Sequence, residues 1–134
     1  MKAAQPGWQG VFKQANIADL LILGPFAIPV VADHYMGLWR MISEIIAPVR
    51  PLGSFSPDAM LFVNLAGAFA VLSVIFRMAQ DSPRAAWMTG AFKLCAAAIF
   101  AIALLRNGSF VFVVPLLADL VIGSLLIATS RKGL

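Results

Sequence analysis

The sequence predicts an all-α integral membrane protein: a four-span transmembrane helix bundle, antiparallel and up-down, with a short interfacial amphipathic helix between spans one and two. Three observations predict it. Hydrophobic residues make up 61% of the 134 and charged residues 12%, about half the charged share of a soluble domain, and mean hydropathy is +0.91. The apolar residues gather into runs of about 20, long enough to cross a hydrocarbon core of ~30 Å. The breaks between runs carry helix-start and helix-stop residues rather than strand signals. Four spans leave no segment long enough to bury a separate soluble core, so residues 1–134 read as a single membrane domain.

Span one covers about Ile17 to Met36 and contains Gly24, Pro25 and Pro29. Two prolines four apart remove helix hydrogen bonds on one face, which predicts a kink or local widening. Asp33 and His34 bring this span to the water interface. From Leu38 to Val49, the residues Leu38, Met41, Ile42, Ile45, Ile46 and Val49 recur at helical spacing, with Arg40, Ser43 and Glu44 elsewhere on the wheel. That pattern, with Trp39 at its start, predicts the amphipathic helix in the headgroup zone; the alternative is a tilted continuation of span one.

Pro48, Pro51, Gly53 and Pro57 break the chain. Ser56-Pro57 is a cap followed by proline at the first helical position, and span two runs from about Asp58 to Phe76. Ser82-Pro83 repeats that signature before span three, Arg84 to Leu105. Arg106-Asn107-Gly108-Ser109 is a tight turn in which Asn-Gly stops one helix and Ser109 caps the next. Span four runs from Phe110 to Thr129. A cleaved leader is the competing account of the N-terminal run, with Val30-Val31-Ala32 as its site; the long, interrupted basic region argues against it.

Four spans place both termini on one side. Lys2, Lys13, Arg77, Arg84, Arg131 and Lys132 belong to that side, against Arg40, Arg50 and Arg106 on the other. The bias predicts cytoplasmic termini, and the expected location is a bacterial-type inner membrane. It also accounts for the formal net charge of +4 without nucleic acid, for which no basic patch is visible.

Lys93 and Asp119 are the residues that need explaining. Each stands near the middle of an apolar span, where an unpaired ion costs roughly 2.5 to 3.5 kcal/mol. Lys93 is about 13 Å into span three from one face and Asp119 roughly 15 Å into span four from the other. These depths nearly coincide, and a four-residue turn joins the two spans, so the ammonium is expected to reach the carboxylate. Such a pair either fixes the register of the bundle or anchors a ligand headgroup or a proton. On neighbouring faces, Pro115, Asp119 and Gly123 recur in span four, Ala86, Gly90, Lys93 and Ala97 in span three, and Asn64, Gly67, Ala68 and Val71 in span two. Small residues allow close helix approach, and Asn64 is a candidate for an interhelical hydrogen bond or a cavity-lining group. Lys93, Asp119 and Asn64 are therefore the candidate ligand-binding residues.

The other polar residues have simpler readings. Asp19 reads as a cap at the cytoplasmic start of span one. A metal centre needs Asp33, His34, Glu44 and Asp58 to converge from loops, so neither a metal nor a cofactor is expected. The lone Cys95 reads as a small packing residue. Trp8, Trp39 and Trp87 read as interfacial anchors, with Trp8 and Phe12 lying along the cytoplasmic surface. No serine–histidine or cysteine–histidine arrangement and no phosphate-binding glycine loop is present.

The string Leu65-Ala66-Gly67-Ala68-Phe69, the apolar run to Phe76, Arg77 closing that span and Arg84-Ala85-Ala86 opening the next resemble the second-span region of the DoxX-like four-helix membrane proteins. The length and layout are similar as well, so the resemblance implies a four-helix fold. Some members are linked to sulfur or thiol redox chemistry, which the single cysteine does not match. Span one departs from the family pattern, with Asp19 near its start in place of a basic residue.

Three functions are carried forward. The first is a non-catalytic subunit or accessory protein of a membrane system, which predicts a tightly packed Lys93–Asp119 contact and small-residue faces turned to a partner. The second is an intramembrane small-ligand or lipid-binding bundle, with or without enzymatic activity, which predicts a cavity reaching that pair. The third is an oligomeric transporter or channel protomer. The expected partners are the lipid bilayer and either a membrane protein or further copies of the chain.

Overall fold

The computed structural model describes residues 7–131. Lys2 and Lys132, counted in the charge bias, lie outside the described residues. Among the described residues five α-helices follow one another: α1 (Gly7–Leu23), α2 (Pro29–Ile46), α3 (Pro57–Gln80), α4 (Pro83–Leu105) and α5 (Val113–Ser130). Short 3₁₀ turns, Gly24–Ala27 and Phe110–Phe112, precede α2 and α5. No strand occurs among the described residues. Among the described residues three helical segments are long and apolar enough to cross a membrane, Pro57–Gln80, Pro83–Leu105 and Phe110–Ser130. A fourth is reached if the bent pair Gly7–Ala27 and Pro29–Ile46 counts as one span. These lengths and compositions mark a membrane protein.

The helix boundaries follow from capping chemistry. Ser56 accepts a hydrogen bond from the Ala59 amide and Ser82 from the Ala85 amide, each followed by a proline whose missing N–H is not needed there. Ser109 accepts from the Val111 amide to start the turn before α5. Asn107 takes a φ of 62°, the left-handed conformation that closes α4 and that asparagine tolerates.

The first span differs most from expectation. Its helix begins at Gly7 rather than near Ile17, and it does not kink through Pro25 and Pro29 but breaks. Gly24 and Pro25 open a 3₁₀ turn, Ile28 is extended as residues before proline are, and α2 leaves at 112° to α1. The amphipathic segment from Leu38 is not a separate element; it is the second half of α2, which absorbs residues 29–36 as well. Trp8 and Phe12 are also reassigned. They are buried with Ala15 against Ala85, Ala86 and Leu126. The spacing 8, 12, 15 puts them on one face of α1, and the two alanines of α4 let that face approach closely. Cys95, expected to pack inside, is exposed on the outer face of α4.

Glycines set the helix separations. A Cβ on Gly90 would stand 2.8 Å from the Gly123 carbonyl oxygen, and one on Gly123 would stand 2.9 Å from that of Gly90. The α4–α5 hairpin is therefore in backbone contact. A Cβ on Gly67 of α3 would meet the Phe26 backbone at 2.5 Å, so the 24–27 turn seats directly on α3. Helix α1 packs against α3 on one side and against α4 and α5 on the other. That central position determines which side chains it brings together.

Candidate functional site

The expected pair is present, and it is part of a larger group. The Lys93 ammonium donates to Asp119 Oδ1 at 2.9 Å and to Asp19 Oδ1 at 2.7 Å. The second oxygen of Asp19 accepts from Arg77 Nη2 at 3.2 Å. Four side chains from α1, α3, α4 and α5 thus form one chain of ion pairs, Arg77–Asp19–Lys93–Asp119. Their side chains are 13%, 13%, 6% and 17% exposed respectively. Two acids and two bases leave the group formally neutral.

Each helix delivers its residue for a local reason. Asp19 lies about 18 Å along α1 from Gly7, well inside the helix, so it is not the cap the sequence suggested. The face it shares with Asn16 and Phe12 turns inward; Asn16 is fully buried, its Nδ2 donating to the Phe12 carbonyl at 2.9 Å. Lys93 projects from the Ala86, Gly90, Ala97 face of α4, all buried. Arg77 stands in the last turn of α3 but leans back along the helix, its Nε donating to the Ser73 carbonyl at 3.3 Å. Its guanidinium lies 5.9 Å from the centre of the Phe92 ring, at the edge of cation–π range.

Sequence reasoning missed Asp19 and Arg77. The sequence places both at helix ends, Asp19 because the apolar run that marks span one begins near Ile17, ten residues beyond the first residue of α1. The signal that finds Asp19 is the 12, 16, 19 spacing, which puts a carboxylate on the same inward face as Phe12 and Asn16. Arg77 carries no such signal, because its Cα does belong to the helix end and only its long side chain reaches inward.

Asn64 is not joined to this group. It is half-buried, about 20 Å along α3 from Arg77, near the Gly67 contact, and its Oδ1 is buried with no hydrogen-bond partner. Two further buried atoms lack a hydrogen-bond partner among the described residues: Asn16 Oδ1, an acceptor, and Arg77 Nη1, a donor. Both belong to residues beside Asp19.

Among the described residues, two of the clefts lie at opposite ends of α3. One, of about 360 Å³, is lined by Gln9, Gly10, Phe12, Lys13, Met78 and Asp81. The other, about 180 Å³, lies between α2 and the connector before α3. Neither is lined by Lys93 or Asp119. Among the described residues no three of histidine, cysteine, aspartate and glutamate converge in a metal-holding group.

The end carrying the α4–α5 turn is tied by Arg50. Its carbonyl accepts from the Phe110 amide at 3.1 Å and the Ser109 hydroxyl at 2.8 Å. Its guanidinium donates to Asn107 Oδ1 at 3.1 Å and lies 3.8 Å over the Phe110 ring. Comparison of the chain with protein-family models, curated proteins and solved structures returned no match.

Proposed function

We propose that this chain is a four-span, non-catalytic subunit or accessory protein of a membrane system, seated in a bacterial-type inner membrane with both termini cytoplasmic. In this reading α1 and the 24–27 turn form the first span, α2 turns aside into the headgroup zone, and α3, α4 and α5 complete an up-down bundle. The resemblance to DoxX-like proteins is consistent with it.

The observation that carries the proposal is the neutral tetrad. Among the described residues each of these four charges faces an oppositely charged side chain of the same bundle, an arrangement that holds the helices in register. The glycine faces once expected to meet a partner are occupied internally, at Gly67, Gly90 and Gly123. Partner contact then falls to the outward face of α3, where the exposed Phe62, Leu65, Phe69, Leu72 and Phe76 alternate at three- and four-residue spacing. That is the seam a second membrane helix packs along.

Cross-linking in native membranes, followed by isolation of the tagged chain and mass analysis, tests the proposal. A partner membrane protein at fixed stoichiometry is expected, and Phe62→Ala with Phe69→Ala should release it. Recovery of the chain only as a monomer or homo-oligomer would refute the accessory reading. A second reading, a small-ligand or lipid-binding bundle using Lys93 and Asp119, draws support from one observation. The unpartnered Asn16 Oδ1 and Arg77 Nη1 offer an acceptor and a donor beside Asp19.

A further inference from the structure

The cleft of about 180 Å³ beside α2 has a charge arrangement that no internal contact explains. Asp33, Gly37 and Arg40 line it from α2, and Gly53, Ser54 and Phe55 line it from the connector. The spacing 33, 37, 40 places these three on one face of the helix. Asp33 and Arg40 are both exposed. Neither takes part in the ion pairs found among the described residues, which all belong to the tetrad. Between them Gly37 leaves the floor open, since a Cβ there would meet nothing within 4 Å.

The opposite wall is held in place. Ser43, fully buried, accepts from the Leu52 amide at 2.8 Å and donates to the Arg40 carbonyl at 2.7 Å. Arg50 fastens the same connector to the α4–α5 turn. A cleft formed before its ligand arrives avoids the ordering cost of binding.

A ligand that engages both charged walls of this cleft carries two charges in the complementary order, a cation at Asp33 and an anion at Arg40. The two Cα atoms are about 10 Å apart along the helix, and side chains lean toward the helix N-terminus, so the long Arg40 reaches back toward Asp33 and shortens the gap. Helix α2, turned 112° from α1, exposes Leu38, Met41 and Ile45 beside its charged residues, as a helix in the headgroup zone does. Met60, which also lines the cleft, continues it toward the apolar flank of α3. A primary ammonium suits Asp33 because it donates hydrogen bonds to a carboxylate. A quaternary ammonium calls for an aromatic cage, and the cleft offers Phe55 alone.

We infer that this cleft binds the zwitterionic headgroup of an ethanolamine phospholipid, with the ammonium on Asp33 and the phosphate on Arg40. The site uses no residue of the tetrad; it rests on the proposed placement of α2 in the headgroup zone, not on the accessory role.

Native mass spectrometry of the full chain, released from detergent micelles titrated with single lipids, tests it. Phosphatidylethanolamine should be retained in preference to phosphatidylcholine and phosphatidylglycerol. Asp33→Asn and Arg40→Gln should each weaken its retention roughly tenfold, the loss expected for one charge-assisted hydrogen bond. Gly37→Leu should do the same by filling the floor. For phosphatidylglycerol, Arg40→Gln should reduce binding and Asp33→Asn should not. Equal retention of phosphatidylethanolamine by the wild type, Asp33→Asn and Arg40→Gln would overturn the assignment. So would a wild-type preference for phosphatidylglycerol, or binding of free O-phosphoethanolamine as tight as that of the lipid.

Discussion

Asp19 and Lys93, 74 positions apart in the chain, meet at 2.7 Å, a shorter contact than the 2.9 Å between Lys93 and Asp119 on the adjacent helix. The long-range bond means that Lys93 does more than hold the α4–α5 hairpin together. It joins the hairpin to α1, and through the second oxygen of Asp19 to Arg77 on α3. One ammonium therefore determines how two halves of the bundle meet.

This connectivity makes an asymmetric prediction. Lys93→Met leaves two carboxylates and one guanidinium, and should destabilise the protein by about 3 to 5 kcal/mol, as breaking a buried pair does. Adding Asp119→Asn leaves only the Asp19–Arg77 pair, which is neutral and still in contact, so most of the loss should return. Adding Asp19→Asn instead leaves Asp119 and Arg77 charged and apart, so it should rescue poorly. Thermal unfolding of the purified variants in one detergent, followed by tryptophan fluorescence, compares the two doubles. Equal rescue by both would show that the four charges do not act as a linear chain.

The glycine contacts predict a graded series. At Gly67 an added methyl group collides with the Phe26 backbone at 2.5 Å, and at Gly90 and Gly123 with carbonyl oxygens at 2.8 and 2.9 Å. Backbone cannot swing aside as a side chain does, so alanine at each site should cost about 1 to 3 kcal/mol, with Gly67→Ala the most severe. Gly37→Ala, in open space within a helix, should instead stabilise by roughly 0.5 to 1 kcal/mol. Melting temperatures of the four single variants supply the ranking, and a Gly37→Ala loss as large as the others would contradict it.

The features legible in the sequence were those written in local chemistry. Ser56-Pro57, Ser82-Pro83 and Asn107 carry helix boundaries in two residues or fewer, and each is used as read. The Lys93–Asp119 contact was also legible, because a four-residue turn makes depth along two helices comparable. Asp19 was not, because its meaning depends on where α1 begins. Trp8 and Phe12 sit where an interfacial anchor and a core residue look alike, and only the Ala85-Ala86 surface on another helix distinguishes the two. The 112° turn at Gly24–Ala27 was legible as a disturbance but not in size, since the turn seats on Gly67, about 40 residues further along the chain, a contact that local spacing does not reveal.

Arg50 should act as a clasp between the connector and the α4–α5 turn. Arg50→Ala removes the hydrogen bond to Asn107 and the stack on Phe110, a loss of about 1 to 2 kcal/mol at a half-buried site. Arg50→Lys should recover little of this, because an ammonium cannot stack as a planar guanidinium does while also reaching Asn107. Hydrogen exchange of residues 47–56 reads the effect directly. Faster exchange confined to that connector and the 106–112 turn is expected in both variants, and unchanged exchange in Arg50→Lys would mean that charge alone suffices.

Trp8 supplies the last test, because its two readings predict opposite spectroscopy. As an interfacial anchor it would be open to water and to the quencher iodide. Buried at 5% exposure, in edge contact with Phe12 at 6.0 Å between ring centres, it should be shielded and emit to the blue. A variant with Trp39 and Trp87 replaced by phenylalanine isolates its signal. Trp8→Ala should then cost about 3 to 5 kcal/mol, the range for truncating a buried aromatic side chain, and should loosen α1 from α4. That loosening should weaken the Asp19–Lys93 contact as well, so Trp8→Ala and Lys93→Met should destabilise together by less than the sum of their separate effects. Strict additivity in that double variant would mean that the first turns of α1 and the tetrad hold the bundle independently.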